Sequence, residues 1–174
     1  ANYANEFDLT LTSETMVVAS PTQANLTSVA QQMIDEDPDV VVTCVYDAGC
    51  VGWMNTMRAV NWSPKAQVFT VCVGQTSFVD AVGDDREYIM GVSPWDPSLP
   101  IQDTLTGWSA SEFAEIFYRY SARSATYHAA SAFASMAILL QSIRDTNSFD
   151  VQNIQASIST NTFRTLYGDI SFED

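Results

Sequence analysis

The chain has 174 residues, 47% hydrophobic and 16% charged. That is enough apolar material to bury a core as one domain or two small lobes, and too much for a disordered chain. Its formal net charge is −14, with seven basic residues and Lys65 as the sole lysine. Such a surface repels phosphate backbones and anionic lipid, which argues against nucleic-acid or membrane-surface partners, and no run of about 18 apolar residues is present to span a bilayer.

The opening ANYANEFDL reads as the tail of a helix that starts upstream, so a piece of a longer protein is expected. TMVVAS (Thr15 to Ser20) is a short β-rich run. ANLTSVAQQMIDEDP then places Leu26, Val29, Met33 and Ile34 at helical spacing, and Pro38 stops it. DVVVTCVY is a continuous apolar run, the pattern of a strand covered on both faces. GCVGWMNTMRAV resumes helical spacing through Val51, Met54, Met57 and Val60. AQVFTVCVG (Ala66 to Gly74) is a second apolar strand, SFVDAVGD a short helix, and Tyr88 to Trp95 a further strand candidate. Strands alternating with helices long enough to act as crossovers predict a parallel, doubly wound α/β layer.

The rhythm changes at SPWDPSLP (Ser93 to Pro100), whose three prolines make a stiff connection. Beyond it the chain is mostly helical. A Ser-x-x-Glu start signal at Ser109 to Glu112 precedes apolar Phe113, Ile116, Phe117 and Tyr120. TYHAASAFASMAILLQSIRD is apolar nearly all round, and DVQNIQASISTN carries Val151, Ile154 and Ile158 on one side. FRTLYGDISFED closes as a strand pair turning near Gly168 and Asp169.

Cys44, Cys50 and Cys72 lack metal-site spacing and have one histidine, His128, to help them. Cys44 and Cys72 fall in strand candidates, where a cysteine behaves as a small buried hydrophobe; a disulfide is compatible with the sequence, and an odd count leaves a thiol over. Two sequons, Asn25-Leu26-Thr27 and Asn61-Trp62-Ser63, hint only weakly at secretion.

In open parallel sheets ligands bind outside the carboxyl ends of the strands. Here those ends are Tyr46-Asp47-Ala48-Gly49, Gly74-Gln75-Thr76-Ser77 and Ser93-Pro94-Trp95-Asp96. They combine small or hydroxyl residues with a group that hydrogen-bonds or stacks, which suits a small polar molecule; they are equally the ordinary residues of βα loops. Catalytic signals are weak. The acidic runs Asp35 to Asp37 and Gly83 to Asp85 look like solvated helix ends, and His128 reads as structural. No nucleophile elbow, phosphate loop or H-E-x-x-H is present.

The order PDVVVTCVYDAGCVGWMNTMRAVNW, QVFTVCVG, YIMGVSPWDPSLP, SEFAEIFYRYSARSATYHAASAFASMAILLQSI, FRTLYGDISFED resembles the type I periplasmic-binding-protein family, which includes leucine/isoleucine/valine-binding proteins and receptor ligand-binding regions. The resemblance implies two lobes clamping a ligand. Residues 1–97 would form an α/β ligand-binding lobe, 98–106 a crossover linker, 107–160 helices returning to the other lobe, and 161–174 a strand pair crossing back. The family's ligand loops carry over onto Tyr46-Asp47 and Val73 to Thr76. Amino-acid-binding members place an acid at the second loop; this chain offers Gln75 there, leaving Asp47 to meet an ammonium group.

The expected function is therefore a non-enzymatic, extracellular or periplasmic small-molecule binding module, in transport or as a receptor sensor, with an amino acid or similar polar ligand. The expected contacts are Tyr46, Asp47, Ala48, Gly74, Gln75, Thr76 and Trp95, with no catalytic group, metal or cofactor. The alternative is an α/β enzyme whose catalytic half lies elsewhere, with Asp47 as a reacting carboxylate. Because the Tyr127 to Ile143 helix shows apolar residues around most of its circumference, homodimerisation or association with the remaining lobe is expected, and a membrane-anchored full-length protein is compatible with this.

Overall fold

A computed structural model describes residues 4, 6–18 and 20–172. The chain divides into two compact units, one running to Val92 and the other starting at Ser93, so Trp95 belongs with the second unit and not, as a boundary at 97 would have it, with the first.

In the first unit, helix α1 (Gln23–Glu36) begins with a capping box. Thr22 Oγ1 accepts from Asn25 N at 3.3 Å, and Asn25 Oδ1 accepts from Thr22 N at 3.0 Å, satisfying amide donors that a helix start leaves over. The Asn25 sequon is thus committed to a helix cap. Asp37, in the left-handed region, and Pro38 end the helix. Strand β1 (Val40–Thr43), helix α2 (Asp47–Ala59), strand β2 (Ala66–Phe69), helix α3 (Thr76–Val82), a 3₁₀ turn (Gly83–Arg86) and strand β3 (Ile89–Gly91) follow.

The strands are parallel, in the order β1-β2-β3. Two right-handed crossovers stepping the same way along a sheet put their helices on the same face. The core accordingly lies on one side, where Leu26 of α1, Trp53, Met54 and Met57 of α2, and Phe78 and Val82 of α3 cover Val41 and Phe69. Phe69 and Phe78 stack obliquely with ring centres 5.5 Å apart. The opposite face is open: Val42, Val68 and Met90 lie in register across the strands, with Val42 59% and Met90 49% exposed. The expectation of cover on both faces of DVVVTCVY is corrected here, because within this unit α1, α2 and α3 all pack on the other side.

Residues 15–18 form no strand, and Ala19 lies outside the described residues. The segment 10–17 runs past the edge strand β1, enclosing with it a cavity of about 500 Å³. Thr15 Oγ1 donates to Gln32 Oε1 of α1 at 3.3 Å, so the segment is tied to the helix and not to the sheet.

The second unit holds helices α4 (Ala110–Ser121), α5 (Tyr127–Thr146) and α6 (Val151–Thr160), then antiparallel strands β4 (Phe163–Thr165) and β5 (Gly168–Ile170). The expected start signal is a capping box: Ser109 Oγ accepts from Glu112 N at 3.2 Å, and a Glu112 carboxylate oxygen from Ser109 N at 2.8 Å. The strand pair turns on Leu166 and Tyr167, with Gly168 taking the positive φ of 100°, a little earlier than the Gly168-Asp169 expected. Aromatic rings build the core, with Phe113 and Phe133 centred 4.9 Å apart and Trp108 stacked on Phe133 at 5.7 Å.

Helix α5 buries Ala130, Ala134, Ala137 and Ile138 but leaves Met136 54% and Leu140 47% exposed. Val151, expected on the packed side of α6, points outward at the first helical position while Ser157 is buried.

Candidate functional site

The carboxyl ends of β1 and β2 lie side by side because the two strands pair from Val40 with Ala66 to Thr43 with Phe69. Thr70 N donates to Thr43 O at 3.2 Å and carries the pairing one step further before the chains part. A cavity of about 310 Å³ opens there, lined by Val17, Val18, Cys44, Val45, Tyr46, Thr70 and Val71. Its chemistry is that of an apolar wall with one hydroxyl, one thiol and one phenol.

Of the expected residues, Tyr46 lines this cavity with its side chain 81% exposed. Asp47 and Ala48 follow it as the first residues of α2, both exposed. The Asp47 carboxylate (Oδ2) accepts a hydrogen bond from Ser77 Oγ of α3 at 3.3 Å, which links the two loops at the strand ends. Gly49 lets α2 start this close to the sheet, since a Cβ there would sit 3.0 Å from Val45 Cβ.

Gly74, Gln75 and Thr76 stand beyond a tight turn in which Gln75 N donates to Cys72 O at 2.7 Å. They do not line the cavity; Gly74 and Thr76 are exposed, and Gln75 is buried at the start of α3. The positions that replace them, Thr70 and Val71, follow directly on β2. In the sequence the apolar VCV of 71–73 looks like more strand, which pushes the expected loop too far downstream. Cys44 and Val45 are hidden by the same effect, and Cys44 is an exposed free thiol where a buried one was expected.

Trp95 is 2% exposed, edge-on to Phe113 with ring centres 5.9 Å apart. The aromatic wall expected from it is a core side chain, fully used in packing its own unit. Among the described residues no cluster of His, Cys, Asp and Glu is placed to hold a metal, and no helix is long and apolar enough to cross a membrane.

Beneath the cavity Cys50 of α2 and Cys72 of the β2–α3 loop are joined in a disulfide, with Cα atoms 6.6 Å apart. Both residues are buried, and each sulfur lies 3.5 Å from the Val45 carbonyl oxygen. Cys72 adopts a φ of 78°, which reverses the chain just after Val71. On the far side of this loop Gly91 packs so closely that a Cβ would lie 2.7 Å from Val73 Cγ1 and 3.0 Å from Phe69 O.

Solved structures share this architecture. The leucine-, isoleucine-, valine-, threonine- and alanine-binding protein of Brucella ovis, in a closed conformation, superposes with a TM-score of 0.79 at 14% identity, over 99% of this chain and 43% of its own. An ABC-transporter substrate-binding protein of Aeropyrum pernix gives 0.73 at 18% identity, over 99% and 47%. The branched-chain amino acid transporter substrate-binding protein of Streptococcus pneumoniae, in complex with isoleucine, gives 0.70 at 16%, over 84% and 40%. The chain thus spans less than half the length of these relatives. At such identities they establish the fold. A family model described as periplasmic binding protein matches residues 2–174, and the chain belongs to the type I periplasmic-binding-protein family.

Proposed function

We propose that this chain supplies one ligand wall of a non-enzymatic solute-binding module whose ligand is a small organic molecule with an apolar body. The observation that carries this reading is the cavity of about 310 Å³ at the carboxyl ends of β1 and β2, lined almost wholly by valine, Tyr46, Thr70 and Cys44. Its size falls at the lower end of small-molecule pockets. Valines take an aliphatic side chain, Tyr46 covers it, and the Thr70 hydroxyl offers one directed hydrogen bond. Asp47, the exposed residue next to Tyr46, offers a carboxylate for a cationic group. The isoleucine held by the Streptococcus pneumoniae relative is a ligand of this chemistry.

Family membership and the buried Cys50–Cys72 disulfide support a periplasmic or extracellular setting, where such bonds persist. Transport is the role that the relatives favour, since they are transporter substrate-binding proteins; no feature of the described residues favours a receptor role.

The test is a thermal-shift and calorimetric screen of the full-length protein against L-isoleucine, L-leucine, L-threonine, aliphatic carboxylates and aromatic carboxylates. A branched aliphatic compound is expected to raise the melting temperature, because a ligand that binds only the folded state stabilises it. Val71→Asp, which puts a charge into the apolar wall, should abolish the shift. A screen in which no compound raises the melting temperature, or in which Val71→Asp leaves binding unchanged, overturns the reading.

A further inference from the structure

We propose that the Cys50–Cys72 disulfide is a positioning cross-link for the ligand wall: it fixes the β1–α2 loop against the β2–α3 loop at the spacing that creates the cavity, and the fold itself stands without it. This rests on the reading of that cavity as the ligand site.

The bond joins the segments that follow β1 and β2, which supply five of the seven residues lining the cavity. Cys50 sits in the first turn and a half of α2, just behind Tyr46 and Asp47. Cys72 follows Val71, which lines the cavity. Both sulfurs touch the Val45 carbonyl at 3.5 Å, so the wall residue between the two strands' ends rests directly on the bridge.

Apart from the bridge, the loops are held at their base by the Thr70–Thr43 backbone hydrogen bond and by Val45, Val71 and Val73 packing on the core. Between their side chains stands the exposed 3.3 Å contact of Ser77 with Asp47, and an exposed hydrogen bond of that length contributes little. The β2–α3 loop itself makes a reversal at Cys72 with φ 78°, a conformation that a cysteine left to itself seldom keeps. The bridge therefore selects a loop shape that local preference does not. The core of the unit includes Cys50 and Cys72 themselves, but α1, α2 and α3 are also packed on the sheet through Leu26, Trp53, Met57, Phe69 and Phe78, side chains that keep their packing when the bond is absent.

The experiment compares the full-length protein with its Cys50→Ala/Cys72→Ala variant and with Leu26→Ala, which opens a hole in the same core and leaves the bond intact. Amide hydrogen exchange is followed across residues 40–77, and L-isoleucine is titrated calorimetrically at a temperature where circular dichroism shows each variant folded. The expected result is at least tenfold faster exchange over 44–50 and 70–76 in the double variant, unchanged protection in β1 and β2, and at least tenfold weaker binding of L-isoleucine. Leu26→Ala should lower the melting temperature with neither loop exchange nor affinity altered.

Loop exchange that stays at the native rate overturns the proposal, as does an affinity loss in Leu26→Ala equal to that in the double variant. A double variant that no longer folds makes the bond a staple of the fold and overturns it too. If the native protein does not bind L-isoleucine while loop exchange rises selectively, the positioning role stands for the loops and the aliphatic-ligand reading is what falls.

Discussion

Replacing Gln67 by leucine tests how the parallel sheet tolerates an amide in its core. Gln67 is 3% exposed on the helix-covered face. Its Oε1 accepts from Trp53 Nε1 of α2 at 3.3 Å, and its Nε2 donates to Thr43 Oγ1 of β1 at 2.8 Å. Leucine is similar in volume, so the hole left is small and the cost is set by the orphaned partners. The half-buried Thr43 hydroxyl regains water. The Trp53 N–H stays buried without an acceptor, at a cost of about 1–3 kcal/mol. We expect Gln67→Leu to lose about 2 kcal/mol, seen by circular dichroism as a fall of about 1 M in the urea midpoint. In a Trp53→Phe background the N–H is gone and the Gln67 carbonyl is the unpaired group, so the same replacement should be neutral or stabilising. The cycle therefore predicts a coupling of about 2 kcal/mol. An equal cost in both backgrounds refutes the reasoning, since the indole–amide bond would then contribute nothing.

Gly91→Ala drives a Cβ into Val73 and the Phe69 carbonyl; a loss of about 1–3 kcal/mol and faster amide exchange over 70–76 are expected, and a variant as stable as the native chain counts against that packing. Ser109→Ala removes a helix cap and should cost about 1 kcal/mol in a denaturant melt. The Glu112 carboxyl is held below its ordinary value by the Ser109 N–H first and the Ser109 hydroxyl second. Its contribution is therefore full above the ordinary glutamate value of about 4.3 and is lost as pH falls through the lowered value, so the melting-temperature gap between native chain and Glu112→Gln should close on acidification. Met136 and Leu140, open on α5, should drive association at micromolar concentration in sedimentation, weakened by Met136→Glu/Leu140→Glu; a native chain that already sediments as a monomer disposes of this.

The elements were legible where local chemistry and packing agree. Ser109 and Glu112 announce α4 because a capping box is a contact between neighbours in sequence. Pro38 and the alternation of apolar runs with helical spacing mark β1, α2, β2 and α3. The ends of the strands were not legible. Val71, Cys72 and Val73 have strand-like side chains but belong to a loop whose shape comes from a cross-link, and pairing of cysteines is a property of the folded chain. Of the residues that line the cavity, Tyr46 is marked in the sequence because it directly follows an apolar run at a helix start. Thr70 and Val71 are not marked because such residues after a strand carry no local signal, and the burial of Trp95 is not marked because a tryptophan beside prolines reads alike whether it faces a cleft or Phe113. The coverage of the sheet depends on strand order, which periodicity does not contain.

The exposed side of the sheet bears on how the chain survives its own synthesis. The window Val40 to Tyr46, VVVTCVY, is rich in β-branched residues, without charge or proline, and it includes the edge strand β1. Segments of this kind, presented at a sheet edge, are templates for pairing between molecules and the start of amyloid-like stacks. Here the window is bracketed by Asp37-Pro38-Asp39 on one side and Asp47 on the other. Charges and a proline in those places act as gatekeepers, since stacking the window in register would bring like carboxylates together at each end. The chain's surplus of fourteen negative charges extends the same protection to the whole surface. Neutralising the bracket, with Asp37→Asn, Asp39→Asn and Asp47→Asn together, should shorten the lag before thioflavin-positive aggregates form while leaving the folded unit in place.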